Sequence, residues 1–204
     1  MNQPAPYVIR LMQQDDVPTV VAIDRMSFTT PWHASSYLYE LRHSAQSAYY
    51  VLLKPETDGP PPPRPAWLQQ LRGLLGLAKE SRVIGYVGFR LRPNDAHIST
   101  IAVHPYWRGK GLGELLLLTA VEKTLELENN VVSLEVRASN PVAQRLYRKY
   151  GFRFVGVHKN YYRDGEDAWL MEVDVSGAAY RSRLRDLRRA LETRLHPRMP
   201  NTHP

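Results

Sequence analysis

Apolar and polar residues recur along the chain with periods that change from segment to segment, and those periods predict its elements. Tyr7–Met12 reads as a short strand, and Asp15 and Asp16 can cap a helix that carries Val17, Val20, Val21, Ile23 and Met26. Pro31 and Trp32 interrupt the pattern. A second helix is expected from about Ala34 to His43, with Tyr37, Leu38 and Leu41 on one face, and then a strand at Tyr49–Leu53. Lys54–Pro65 holds six of the sixteen prolines and reads as a stiff, extended linker. Beyond it, Trp67, Leu68, Leu71, Leu74 and Leu75 fall at helical spacing. Apolar-rich strands follow at Val83–Arg92 and Ala96–Val103, joined by the turn signal Pro93, Asn94, Asp95.

The second half is as legible. A glycine-rich loop at His104–Gly113 leads into a strong helix, Glu114–Glu128, with Leu115–Leu118 and Val121 facing a core. Val131–Val136 is a strand. Pro141 suits the first turn of a helix that Asn140 can cap, with Gly151 as its stop. Phe152–His158 and Ala168–Val175 complete the strands around the turn Arg163, Asp164, Gly165. This order mixes hairpins with helical crossovers, so an α+β fold built on a mixed sheet is expected.

Composition narrows the chemistry. With 204 residues, 43% hydrophobic and 23% charged, the chain has the balance of a globular protein. It holds no cysteine, which excludes disulfides, iron–sulfur clusters, zinc ribbons and acyl transfer through a cysteine. His33, His43, His97, His104 and His158 show no i, i+4 pairing, so no metal site is expected. The net charge of +7 suggests nucleic acid until it is dissected. Seven arginines in residues 176–204, against Asp186 and Glu192, account for +5 of it. The domain itself is nearly neutral, and no specific DNA binding is expected. With no apolar run of membrane-spanning length and no leader pattern in Met1–Arg10, a cytoplasmic location is expected.

The sharpest local feature is Arg108-Gly109-Lys110-Gly111-Leu112-Gly113, placed between a strand ending in Ile101, Ala102 and Val103 and a long helix. Glycines allow positive φ and close backbone approach, and a helix start offers free N–H groups to an anion. A pyrophosphate fits such a loop. A nucleotide-triphosphate loop would need Ser or Thr after Lys110, where Gly111 stands, and a dinucleotide fingerprint would need glycine where Glu114 stands.

Together with Leu134-Glu135-Val136-Arg137-Ala138-Ser139-Asn140, Ala143, Leu146-Tyr147, Tyr150-Gly151-Phe152, Asn160-Tyr161-Tyr162 and Asp164–Ala168, this loop resembles the GNAT N-acetyltransferase superfamily. Within it, the series resembles the bacterial ribosomal-protein-alanine N-acetyltransferases and their archaeal and eukaryotic N-terminal acetyltransferase relatives. Phe28, Pro31-Trp32 and Glu40-Leu41 suit the same family. The resemblance spans about 7–54 and 83–174, leaving an insertion at 55–81 and a tail at 176–204 outside it.

The resemblance implies a splayed, mostly antiparallel sheet and acetyl-coenzyme A as cosubstrate. It implies that Ile101, Ala102, Val103, Arg108, Gly109, Lys110, Gly111, Leu112, Gly113, Glu114 and Asn140 contact that cosubstrate. It implies Glu135 as general base and Tyr147 as general acid. Strand alternation in Val131–Arg137 independently puts Glu135 on the polar face, opposite Val132, Leu134 and Val136. Trp32, Tyr161 and Tyr162 are candidates for the substrate wall.

The expected activity is acetylation of a protein N-terminal α-amine, plausible for a ribosomal protein, by direct transfer in a ternary complex. At pH 7 about a tenth of an α-amine is neutral, against roughly 0.04% of a lysine, so a modest base suffices for the former. A lysine or small-amine acetyltransferase and a ribosome- or partner-binding module stay open as alternatives. In the tail, Tyr180, Leu184, Leu187, Leu191 and Leu195 form an apolar stripe on an Arg-rich helix. Its own domain or a second copy, ribosomal RNA and an anionic membrane are the surfaces open to it.

Overall fold

A computed structural model describes residues 7–43, 45–55, 81–93 and 95–195. The expected helix at Trp67–Leu75, nearly all of the proline-rich linker, and Asn94 in the hairpin turn lie outside the described residues. Seven strands form one sheet: β1 (Val8–Leu11), β2 (Ser47–Leu53), β3 (Val83–Arg92), β4 (Asp95–Val103), β5 (Val131–Arg137), β6 (Arg153–His158) and β7 (Ala168–Asp174). Their order is β1-β2-β3-β4-β5-β7-β6. Every pairing is antiparallel except that of β4 with β5. Five helices are described: α1 (Val17–Ser27), α2 (Ala34–Arg42), α3 (Leu112–Glu126), α4 (Pro141–Lys149) and α5 (Ala178–Leu195). The architecture is α+β.

Side-chain alternation divides the core between the two faces of the sheet. Tyr49 and Val51 of β2, with Val83 and Tyr86 of β3, pack with Val17, Val20, Ile23 and Tyr37 from α1 and α2. Leu52, Ile84 and Val87 point the other way, into a larger cluster with α3. Gly88 is required where it stands, since a Cβ there would lie 2.1 Å from the Tyr49 ring. Gly88 stands directly opposite Tyr49 in the β2–β3 register, so the ring lies over the bare glycine.

Leu115–Leu118 occupy four consecutive positions of α3 and are all buried. Four successive helical residues cannot share one face, so a second layer must cover the helix. That layer is α5. Leu184, Leu191 and Leu195 join the same cluster, with Tyr180 and Leu187 partly buried against it. Arg188 forks onto Glu122 of α3, Arg194 reaches Glu114 at 2.8 Å, and the Tyr180 hydroxyl donates to the Tyr150 carbonyl at 3.0 Å. Of the surfaces open to the tail, its own domain is the one it covers. Among the described residues, no helix is long and apolar enough to cross a membrane.

One irregularity positions the site. β4 pairs with β5 only from Asp95–Ile98 to Val131–Leu134. Beyond that point β3 still pairs with β4 up to Val103, and β7 still pairs with β5 through Arg137. The sheet therefore opens like a V between Ser99–Val103 and Glu135–Arg137, leaving backbone groups of β4 without a β5 partner in the gap.

Candidate active site

A cleft of about 1010 Å³ runs through this gap, lined by Ile98–Ile101 of β4 and Leu134–Arg137 of β5. Trp32, Asn140, Tyr147, Tyr161 and Tyr162 line it as well. Five separate elements thus bring Trp32, Ile101, Glu135, Asn140, Tyr147, Tyr161 and Tyr162 to one opening, whereas Ala102, Val103 and the loop Arg108–Glu114 do not line it.

Glu135 is the first β5 residue past the β4 pairing, and its side chain is only 11% exposed. Its Oε2 lies 2.9 Å from His97 Nε2, and its Oε1 lies 3.6 Å from His158 Nδ1. Burial, with the Glu135 carboxylate nearby, raises the Tyr161 phenol. Burial is the largest single influence and pushes the Glu135 carboxyl up, and the His97 hydrogen bond is the strongest of the influences that oppose it. With the charges of His97, His158 and Arg92, that bond holds the group below the ordinary carboxylate range.

His97 is the residue that sequence reasoning missed. It sits on β4 opposite Ser133, two residues before Glu135 on the same face of β5. Its Nδ1 lies 3.0 Å from Ser133 Oγ, which in turn donates to both carboxylate oxygens of Asp95 at 3.1 Å. A signal was present, since Asp95, His97 and Ser99 alternate with the apolar Ala96 and Ile98. What could not be read was that a parallel pairing would set His97 beside a strand 36 residues away. Among the described residues, no three His, Asp or Glu side chains are grouped as a metal ion would need.

Tyr147 projects from α4 and rests against Phe152, ring centroids 5.8 Å apart. It is 6% exposed and reaches the cleft. Burial, with the nearby Tyr162, raises its phenol far above the ordinary value, so it stays protonated. Tyr162 lies under the Arg137 guanidinium at 3.9 Å, and Arg137 pairs with Asp164 at 2.9 Å and Glu166 at 2.5 Å. Its other Nη donates to Thr29 Oγ1 at 2.7 Å. Arg137 thereby ties the loop between α1 and α2 to the turn between β6 and β7. Trp32 is anchored by its backbone N–H, 2.5 Å from the buried Asp24 carboxylate, and its ring packs on Tyr37.

The glycine-rich loop departs from expectation in detail. The helix begins at Leu112, so Gly113 lies inside it, and Gly109 and Gly111 carry the positive φ angles, 78° and 81°. The first helical bond runs from Leu115 N to Gly111 O, which leaves the N–H groups of Leu112, Gly113 and Glu114 at the helix start. Arg108 is turned inward, its Nε 3.0 Å from the Val103 carbonyl and an Nη 2.8 Å from Ser27 Oγ. Lys110 lies 4.5 Å from the Trp107 ring centre. The Glu114 carboxylate faces away from the loop, held by Lys149, Arg194 and the Tyr150 hydroxyl. Burial raises this carboxyl, and those three hydrogen bonds more than reverse the effect. Asn140 Oδ1 caps α4 by accepting from Ala143 N at 3.1 Å.

Residues 28–152 match the model of the acetyltransferase (GNAT) family. A Bacillus subtilis protein, provisionally named a ribosomal protein bS18-alanine N-acetyltransferase, is 37% identical over 82% of this chain and 95% of its own. An N-alpha-acetyltransferase from Sulfolobus acidocaldarius is 32% identical over 81% of this chain and 90% of its own. The crystal structure of the Escherichia coli ribosomal-protein-S18-alanine N-acetyltransferase shares the fold, with a TM-score of 0.65 and 23% identity over 84% of this chain and 96% of that one.

Proposed function

Because the chain belongs to the GNAT acetyltransferase family and is therefore an acyltransferase, we propose that it acetylates the N-terminal α-amine of a protein, ribosomal-protein-alanine type, with acetyl-coenzyme A as donor. The observation that carries this reading is that the buried Glu135 carboxylate and the Tyr147 phenol line one cleft in the opened sheet, an acceptor and a donor of protons. The names of the relatives support the α-amine over a lysine side chain, as does the smaller deprotonation demand of an α-amine.

The residues present fit the cosubstrate. Two positive-φ glycines precede a helix start with free N–H groups, a donor set suited to a pyrophosphate, and no atom would crowd a Cβ at Gly109. The β4 edge at Ile101–Val103, which has no β5 partner, offers backbone groups to an amide-bearing arm, apart from the Val103 carbonyl that already accepts from Arg108. Asn140 would contribute its amide nitrogen from the head of α4. When bound, the cosubstrate supplies an activated acetyl thioester.

The chain's own groups then handle protons. Glu135 accepts, directly or through a water, the proton that the amine sheds as it attacks. Tyr147, held protonated by burial, gives its phenolic proton to the departing sulfur. With no cysteine in the chain to take the acetyl group, direct transfer within a ternary complex is the mechanism we propose. Trp32, Tyr161 and Tyr162 would wall the first residues of the peptide, and the Arg137 tie would hold that wall in place.

A peptide with a free alanine terminus and an internal lysine, compared with a twin whose terminus is blocked, tests the reading. Mass spectrometry should find acetyl on the free α-amine and none on the blocked twin. Equal labelling of both, all on lysine, would instead assign a side-chain acetyltransferase.

A further inference from the structure

A carboxylate only accepts hydrogen bonds, and this fact propagates through the cluster behind Glu135. Asp95 accepts, so Ser133 Oγ–H must donate to it, at 3.1 Å from both oxygens. With its proton spent there, Ser133 Oγ can only accept from the imidazole 3.0 Å away, so His97 Nδ1 carries a hydrogen. A neutral His97 therefore presents a bare lone pair at Nε2, and 2.9 Å from it stands Oε2 of Glu135, another acceptor. Two acceptors at that distance are tolerable only with a proton between them.

We propose that Asp95 and Ser133 are positioning residues that fix the tautomer of His97 and thereby set the base strength of the Glu135–His97 pair. The proposal rests on the reading of Glu135 as the base. Glu135 taken alone, held below the ordinary carboxylate range, keeps a proton too weakly to take one efficiently from an amine near neutral pH, so the proton it receives is held by the pair, on the imidazole side. In the fixed tautomer, emptying the pair leaves two lone pairs facing each other, and taking a proton relieves that repulsion. If His97 could adopt the other tautomer, its neutral ring would donate Nε2–H to Glu135, and the drive to bind a proton would vanish. The logic is that by which a carboxylate orients the imidazole of a catalytic triad, with a serine hydroxyl interposed and a glutamate as the group served.

The surroundings are compatible with a pair of this kind. Arg92 and Asp95 face it from the β3–β4 hairpin, His158 from β6, and Glu172 from β7, opposite Ser133. Tyr161 lies near Glu135, and Tyr162 and Tyr147 line the same cleft. Asp95 is partly exposed, with Arg92 3.6 Å away, so it connects the cluster to solvent.

The discriminating variant is Asp95→Leu in the full-length protein. With no acceptor left at position 95, the Ser133 hydroxyl would turn to donate to His97 Nδ1 and force the hydrogen onto Nε2, and a tautomer that stayed at Nδ1–H would overturn the proposal. Nitrogen-15 NMR of the imidazole at high pH should show Nδ1–H in the wild type and Nε2–H in the variant. The acidic limb of the kcat/KM profile should move down by about one pH unit, with turnover above it lowered about tenfold. Ser133→Ala should shift the limb the same way, and Ser133→Thr, which keeps the hydroxyl, should restore it. Nε2–H in the wild type would overturn the proposal whatever the kinetics. An unmoved limb in a variant whose tautomer has switched would overturn it too. Failure of the underlying reading looks different, since Glu135→Gln would then turn over like the wild type.

Discussion

Leu191 of α5 lies behind Gly111: a Cβ on the glycine would meet Leu191 Cδ1 at 3.4 Å and Leu195 Cδ2 at 3.6 Å. The end of the tail helix is thus the backing of the glycine-rich loop. Two demands meet at one residue, since Gly111 also holds φ at 81°.

Substitutions in the loop should therefore differ in kind. Gly111→Ile is expected to strain the backbone and press on α5, lowering stability as well as coenzyme A affinity. Gly113 lies inside α3 at ordinary φ, and the nearest atom to its Cβ would be Val103 Cγ2 at 3.9 Å. Gly113→Ile should fold and still weaken coenzyme A binding by roughly tenfold or more, by keeping the ligand from the helix start. Calorimetry on the folded variant, with unchanged affinity, would move the site elsewhere.

The tail should matter for folding. Leu191→Ala removes a fully buried side chain from the α3–α5 contact and is expected to cost about 2–5 kcal/mol in denaturant unfolding. Truncation after Val175 strips Leu184, Leu191 and Leu195 together and exposes the outer side of α3, so a marked fall in Tm is expected. A truncated protein melting like the full chain would show that α5 adds nothing to the core's stability.

Glu135→Gln and Tyr147→Phe should each lower kcat by about 10²-fold, the usual size of a general acid–base contribution. Cosubstrate affinity should change little for Glu135→Gln. That variant should recover in part at high pH, where solution deprotonates the amine. Wild-type turnover at pH 7 in either variant would remove that residue from its assigned role.

Glu166 offers a test of the Arg137 tie through pH. Hydrogen bonds from Ser139, with the Arg137 pair behind them, hold its carboxyl down at about 2. A folded value below the unfolded one, about 4.3, contributes stability that is present above pH 4.3 and is lost as pH falls towards 2. Wild type should therefore melt above Glu166→Gln at neutral pH, with the gap closing between about pH 4 and 2. A gap that stayed constant over that window would mean the carboxylate's charge contributes nothing to the tie.

By itself the sequence determined the elements, the glycine-rich loop and the polar face that carries Glu135, because each depends on spacing within a dozen residues. The period-2 pattern of β5 already turned Glu135 away from Val132, Leu134 and Val136, and the apolar stripe of α5 already required a surface to cover. Tertiary structure decided which surface that was: the side of α3 opposite the sheet, where four successive leucines needed a second layer. It also decided that β4 and β5 run parallel and part after Ile98, which opens the cleft and sets His97 beside Glu135. It turned the Glu114 carboxylate away from the loop, because Lys149 and Arg194, 35 and 80 residues along the chain, converge on it. Such contacts leave no local period in the sequence. Hydrogen-bond and charge partners are chosen by strand register and helix docking, and these exist only once the apolar faces have packed.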